Sequence, residues 1–485
     1  MNYLRLSITE LHNLLLKGEI TPLQLTKLAI EAAKNDTNNS FEYICEKEAV
    51  EAAKNLDVNK KNNLLWGIPF ALKDNFSTKD IPTTASSNIL NGYVPVFSSD
   101  TYIRLVEQGA ILIGKTAMDE LAMGGTGTTG HLGTIYNPWD SKHERMVGGS
   151  SSGSASSCSA GIVPFAIGSD TGDSVRKPAS YAGLVGFKPT WGRISRFGLF
   201  PFAQSLDHVS YFTRNVTDSA ILLSVLAGKD DKDSTSSNKP VDNYLEKMNE
   251  EIKGTRVAVI DEILNSIKDP DIKKEFNYNL EQLKECGVVI NHVSLDINIC
   301  RAIYPTYFVI SCVEAASNNA SLDGIKYGLK GEGEDYETSV FNARTKGFSE
   351  MIKRRFVVGS YSLFSENREE VLIRAQRCRR LIVNKINEIL ANNDLIYLPS
   401  APTIAPLFER KTDGLSDEYL IGENYAPFAN LGGLPSLTLP LGFKDGFPFG
   451  GNLTGRAFEE STVLKMAKAI ENITGLKDLI AGDQR

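Results

Sequence analysis

No Cys-x-x-Cys pair occurs in this chain: six cysteines (Cys45, Cys158, Cys286, Cys300, Cys312, Cys378) lie far apart, and five histidines show no metal-ligand spacing. A disulfide scaffold and a zinc module are both disfavoured, and a reduced protein with no metal ligands is expected. Runs of about 18 apolar residues are missing, which argues against a membrane span. The opening stretch MNYLRLSITELHNLLLKGEI has apolar positions at helical spacing, but Glu10, His12 and Lys17 interrupt it, so it lacks the apolar core of a signal peptide. A cytoplasmic protein with no membrane partner is the expectation. Positive charge is in deficit: 52 Lys and Arg against 59 Asp and Glu give a formal net charge of -7, which disfavours a broad basic face for nucleic-acid phosphates. Internal repeats and low-complexity tracts are also lacking.

What is present has an ordinary globular composition, 42% hydrophobic and 23% charged over 485 residues. Length alone suggests two or three domains, a soft prior because large α/β enzymes often fold as one unit. Residues from about 7 to 56 read as helices, since Leu11, Leu14 and Leu15, then Leu23, Leu25, Leu28 and Ala29, recur at three- and four-residue intervals. Thr21-Pro22 supplies an N-cap and a proline at the first helical position. From Gly67 the texture changes to short apolar runs, IPFAL and AILIG, between glycine- and serine-rich loops, which read as buried strands of an α/β sheet.

The polar stretch 228–243, GKDDKDSTSSNKPVDN, marks a surface connection. Beyond it RVAVID and GVVINHVSL read as strands around the capped helix DPDIKKEFNYNLEQLKEC, and DLIYLP and SLTLPLG as later strands. The basic stretch EEVLIRAQRCRRLIVNKINEIL invites an RNA-binding reading. Leu372, Ile373, Leu381, Ile382 and Ile386 give it a core face instead, with the arginines as its solvated side.

Chemistry concentrates in Met146–Ala155, MVGGSSSGSA, and Gly168–Pro178, GSDTGDSVRKP. So many small hydroxyl and glycine residues let the backbone approach a ligand and offer N–H groups where charge develops. Apolar Ile162, Val163, Phe165, Ala166 and Ile167 lie between the two loops and anchor both on a buried strand, unlike a flexible linker. Two familiar patterns fail on context. Gly125-Thr-Gly-Thr-Thr-Gly130 fits G-x-G-x-x-G but follows TAMDELAM, which reads as helical rather than as a strand. Gly149-Ser-Ser-Ser-Gly153 fits G-x-S-x-G, but DSKHERMV before it is no buried strand, and the histidines available, His208 and His292, have no distinctive setting. A serine nucleophile here needs another base. Lysine serves if burial lowers its pKa, and Lys73, closing the apolar run Gly67–Leu72, is the candidate.

The order GIPFALKDN, GGSSSGS, GSDTGDSVRKPAS and GLVGFKPTWGRIS resembles the amidase signature family, whose catalytic set is Ser, cis-Ser, Lys. Matched residue by residue, the resemblance implies Lys73 as base, Ser150 with its cis peptide as bridge and Ser174 as nucleophile, the serines 24 residues apart as is normal for the family. It implies that Ser174 attacks an amide while Ser150 passes its proton to neutral Lys73, and that backbone N–H groups of Thr171, Gly172, Asp173 and Ser174 hold the oxyanion. The chain departs from the family pattern in carrying Asp173 and Ser152 where a glycine is usual, and an acidic side chain beside an oxyanion is unfavourable unless turned away. The implied fold is α/β, a large mixed sheet covered by helices on both faces. One unit over 1–485 is expected, with a helical preface over 1–60, the signature core over 61–227, and the rest of the sheet with the substrate-binding part over 244–485.

Further motifs, MDELAMGGTGTTG, SRFGLFPFAQSLDHVSYFTRNV, SLDGIKYG, IKRRFVVGSYSL and ANLGGLPSLTLPLGF, are similar to the branch that supplies the A subunits of glutamyl-tRNA(Gln) and aspartyl-tRNA(Asn) amidotransferases. That resemblance implies glutamine as substrate, with Arg355 gripping its carboxylate, Glu423 in the place of the family's aspartate for its ammonium, and Tyr307 at the substrate. It also implies B and C subunits as partners, tRNA held mainly by the partner, and ATP with Mg on the partner, with no cofactor in this chain. The absence of G-x-x-x-x-G-K-[ST] agrees with ATP being handled elsewhere. Two other readings stand beside it: a free-standing amidase for another small amide, and a non-catalytic assembly protein, which Asp173 makes thinkable.

Overall fold

Strands from both sides of the polar connection meet in one sheet. In chain order they are β1 (Phe41–Ile44), β2 (Pro69–Lys73), β3 (Ile111–Thr116), β4 (Phe165–Asp170), β5 (Val185–Lys188), β6 (His208–Thr213), β7 (Arg256–Ile260), β8 (Val289–Val293), β9 (Leu395–Pro399), β10 (Ser436–Lys444) and β11 (Phe447–Gly455). The computed structural model describes residues 3–482; Met1 and Asn2 of the preface, and residues 483–485, lie outside them. Across the sheet the order is β1-β3-β2-β4-β6-β5-β10-β11-β9-β7-β8. β2 runs parallel to both β3 and β4, β7 runs parallel to β8 and β9, and the strands between are antiparallel. Ser436 facing Lys188 marks the β5–β10 seam.

Helices cover both faces, so β2, β3, β4 and β9 are buried along their whole length, which is why they read as unbroken apolar runs. Only the outermost strands, β1 and β8, are partly exposed. Helix starts follow local chemistry. Ser7 and Glu10 form a capping box at Ile8–Lys17, Thr21 and Gln24 another at Pro22–Lys34, and Asp269 caps Pro270–Glu285. Among the described residues no helix is long and apolar enough to cross a membrane.

Several expectations need correction. The preface is not all helix: Phe41–Ile44 forms the edge strand β1, because pairing with β3 satisfies the backbone of a short aromatic stretch that helical spacing alone would have continued. TAMDELAM is not helical either. It ends in a single 3-10 turn, with Leu121 and Ala122 left-handed at φ 51° and 62°. In the basic helix (Arg374–Asn392, led in by a π-helical stretch, Glu369–Ile373), Leu372, Ile382 and Ile386 are buried but Leu381 is exposed. Its arginines are not all solvated, since Arg379 binds the Leu431 carbonyl and Ser205. Strands β5, β6 and β11 were hidden in motifs rich in glycine, polar residues or both. In β11 a Cβ on Gly451 would lie 2.7 Å from the Tyr397 ring, so the glycines that mask the strand permit its packing.

Candidate active site

Three consecutive features of the chain converge beneath one cleft. β2 delivers Lys73 at its last position, fully buried. After the cis peptide Gly149–Ser150 the chain enters the helix Ser152–Ser159, every residue of which is buried. Small side chains allow this: a Cβ on Gly153 would stand 2.3 Å from the Ser40 carbonyl oxygen, and Ser154 donates to the Ile167 carbonyl at 2.8 Å. β4 then delivers Ser169 and Asp170 and opens into the loop 171–174.

Lys73 Nζ lies 2.8 Å from Ser150 Oγ, 2.9 Å from Ser151 Oγ and 2.9 Å from Ser169 Oγ. Burial drives its pKa down to about 7, against the opposing pull of Asp119, Asp170 and Asp207, so a neutral amine is populated at ordinary pH. The loop 171–174 is shaped from below. Asp170 accepts from the Val175 amide at 3.0 Å and from Arg176 Nε and Nη2 at 3.1 and 3.0 Å. Burial alone would raise this carboxyl, but the Arg176 guanidinium, with Lys188, holds it well below the usual carboxylate range. Arg176 also donates to the carbonyls of Gly172 (2.5 Å) and Ala426 (2.9 Å) and to Asn430 Oδ1 (2.6 Å).

The carbonyls being drawn inward, the amides of Thr171, Gly172, Asp173 and Ser174 have no hydrogen-bond acceptor among the described residues. Successive free amides of this kind suit an anion. Ser174 Oγ likewise makes no hydrogen bond among the described residues. Its loop lies against the other serines because the Ser151 amide donates to the Ser174 carbonyl at 3.2 Å.

Above the serines is a cleft of about 360 Å³, whose lining includes Asp173, Lys177, Tyr304, Tyr307, Arg355 and Glu423. Tyr307, from the helix Ile297–Asn318, covers Gly172 so closely that a Cβ there would be 2.8 Å from its ring, which is why residue 172 is glycine. Arg355, from the helix Glu350–Leu363, stacks over Phe202 and Phe308 and bonds Met351 Sδ through Nε, while its buried Nη1 has no hydrogen-bond partner. Glu423 pairs with Arg410 at 3.2 Å, and Asp173 pairs with Lys177 at 2.5 Å. The carboxylate flagged in the sequence is therefore held by its own i+4 lysine. A larger surface groove, about 500 Å³, includes Tyr336, Phe341 and Phe356, and none of its lining belongs to the serine loops.

His208 bonds the Leu206 carbonyl and His292 pairs with Asp261 at an exposed position, so neither hydrogen-bonds a serine of the two loops. The family model for amidases matches residues 24–464. The chain belongs to the amidase family. It is 38% identical over 479 residues to the A subunit of glutamyl-tRNA(Gln) amidotransferase from Streptococcus pneumoniae (strain 70585), covering 98% of this chain and 97% of that protein. The protein of the same name in Pediococcus pentosaceus is 38% identical over 481 residues, covering 98% of both. The crystal structure of the A subunit of glutamyl-tRNA(Gln) amidotransferase from Thermotoga maritima superposes with a TM-score of 0.80 at 33% identity, covering 97% of this chain and 95% of that one.

Within this amidase, Lys73, Ser150 and Ser174 and the cleft residues Tyr307, Arg355 and Glu423 are all named by sequence reasoning, and the fold brings all six around one cleft floor. Sequence reasoning does not assign Ser151 and Ser169 as further partners of Lys73, nor Arg176 and Asn430 as the braces of the loop, although all four sit in the quoted motifs. It misses Lys177 and Arg410 as well. An acid at 173 and a lysine at 177 are one helical turn apart, a signal that the pairing was available.

Proposed function

We propose that this amidase is the glutamine-hydrolysing A subunit of a tRNA-dependent amidotransferase, using Ser174 as nucleophile, Ser150 as bridge and Lys73 as base. What carries the reading is the 2.8 Å bond from the Lys73 amine to Ser150 Oγ, in a pocket that keeps the amine near neutrality. Ser174 Oγ attacks the carboxamide carbon of glutamine, its proton passing to Ser150 Oγ as the Ser150 proton passes to Lys73 Nζ. The carbonyl oxygen gathers negative charge against the free amides of residues 171–174. As the tetrahedral intermediate collapses, the relay returns the proton to the leaving nitrogen, ammonia departs, and a glutamyl ester remains on Ser174. Water enters by the same relay in reverse and releases glutamate.

Arg355, with an unsatisfied Nη1, suits the α-carboxylate, and Glu423 or Asp173 the α-ammonium, each after exchanging its present cation for the substrate. The relatives' name supports the partnership: a B and a small C subunit, with ATP, Mg and most tRNA contacts on the partner, in the cytoplasm. The test is ammonia release from glutamine by the purified chain and its Ser174→Ala variant, with and without co-expressed B and C subunits and charged tRNA. Weak release that rises with the partners and vanishes in the variant is expected. Vigorous partner-independent hydrolysis of other amides points to a free-standing amidase, and release untouched by Ser174→Ala rejects the mechanism.

A further inference from the structure

The motif GTGTTG wraps a carboxylate of the chain itself. Asp119 is fully buried, and it accepts hydrogen bonds from the amides of Thr126, Gly127, Thr128 and Thr129 at 3.1 to 3.3 Å and from Thr129 Oγ1 at 2.8 Å. A run of backbone N–H groups around one anion is the geometry of phosphate loops, here turned inward. That competition for amides explains why TAMDELAM leaves the helical path at Leu121 and Ala122. Gly127 (φ 78°) makes the turn, and a Cβ there would sit 2.9 Å from Ser152 Oγ.

The other end of Asp119 faces the serines. Its own amide donates to the Ser150 carbonyl at 3.2 Å, and its carboxylate lies against Gly149 so closely that a Cβ there would be 2.0 Å from Oδ2. Both residues of the Gly149–Ser150 peptide are thus gauged by one side chain and its backbone. Gly124, Gly125 and Thr126 of the same loop line the cleft.

We infer that Asp119 is a positioning residue for amide hydrolysis: its caged carboxylate fixes the Gly149–Ser150 peptide, and with it the hydroxyl that joins Ser174 to Lys73, while presenting a fixed negative charge to the Lys73 amine. The inference rests on the relay proposed above. The charged groups acting on Lys73 are Asp119, Asp170 and Asp207, and the amine is otherwise ringed by the hydroxyls of Ser150, Ser151 and Ser169. The neighbouring Lys115 and Asp74 neutralise each other at 3.2 Å. Among the carboxylates Asp119 alone also touches the Ser150 peptide, since Asp170 is bound to Arg176 and Asp207 accepts from Thr171 at 2.7 Å.

The experiment uses the full chain and a fluorophosphonate probe, which labels an activated serine whatever the natural amide. The Ser174 Oγ–P bond forms, the P–F bond breaks, fluoride leaves, and the serine proton enters the relay. Asp119→Asn keeps the size and an acceptor oxygen but removes the charge. The expected result is a labelling rate lower by roughly 10–100-fold at its plateau, with the acid limb of the pH–rate profile moved to lower pH, since Lys73 loses an anion that favours its protonated form. A folded Asp119→Asn that labels at the wild-type rate overturns the inference. So does one that loses rate with the acid limb unmoved, which leaves a structural role alone. If Asp119→Asn does not fold, Thr129→Val removes a single donor from the cage, and a labelling rate about threefold or more below wild type is expected. An unchanged rate overturns the inference. Failure of the underlying relay reads differently, as labelling that survives Ser174→Ala.

Discussion

On the floor of the cleft, Lys73, Ser150, Ser151 and Ser169 are sealed from solvent and exchange hydrogen bonds within a few ångströms, whereas on its wall Asp173, Glu423 and Arg410 are half-buried and meet their partners as ion pairs. The floor comes from two strand ends and two short loops. The wall is assembled from elements far apart in the chain: Tyr307 and Arg355 on two long helices, Glu423 at the end of a π-helical turn. The difference teaches a division of labour. A sealed floor can hold an amine neutral and serves bond-breaking, while a half-open, charged wall can trade partners with a zwitterion and serves selection.

Substitutions can break that division. The largest effect is expected from Ser174→Ala, which should lower kcat by at least about 10³-fold while leaving glutamine affinity in calorimetry near wild type. A large loss of affinity would mean that floor and wall are not separate. Lys73→Met should lose activity on a comparable scale, and it should also report on stability. Its pKa is about 7 folded and about 10.4 unfolded. Folding must therefore expel a proton between these values, so the lysine detracts from stability, most fully below pH 7 and less as pH rises towards 10.4. The variant's Tm is expected to exceed wild type by about 2–4 °C at pH 6, and the gap should shrink at pH 9. Wild-type hydrolysis should fall as pH drops through about 7, as the amine protonates.

The wall should answer in KM. Arg355→Ala is expected to raise KM for glutamine by roughly 10–100-fold with a smaller change in kcat, since an Nη1 with no partner in the free protein awaits an anion. Asp173→Gly, which restores the family's usual residue, is expected to change kcat by less than about threefold, because Lys177 already holds the carboxylate. A large rise in kcat would instead place that charge beside the oxyanion.

The same division governed what the sequence disclosed. Floor residues could be read because Lys73 ends an apolar run and the serine-glycine loops flank another, so local pattern and chemistry coincide. Strands β2, β3, β4, β7, β8, β9 and β10 were legible for the same reason. Wall residues had no local signal: Arg355 is one of several basic residues in KRRFVVG, and only the family resemblance singled it out. β1 was lost inside helical spacing, β11 behind its glycines, and TAMDELAM was misread because the acceptor that bends it, Asp119, finds its donors downstream in GTGTTG. These are tertiary choices, made by partners that a window along the chain does not contain.

The central claim is that Ser174 carries the substrate's acyl group. Acid quenching of the chain with glutamine in the first turnovers, followed by peptide mass analysis, tests it most directly. The account predicts a glutamyl ester on the peptide containing Ser174, absent from Ser174→Ala and reduced in Lys73→Met. An adduct on another residue, or steady ammonia release from Ser174→Ala without any adduct, would contradict it.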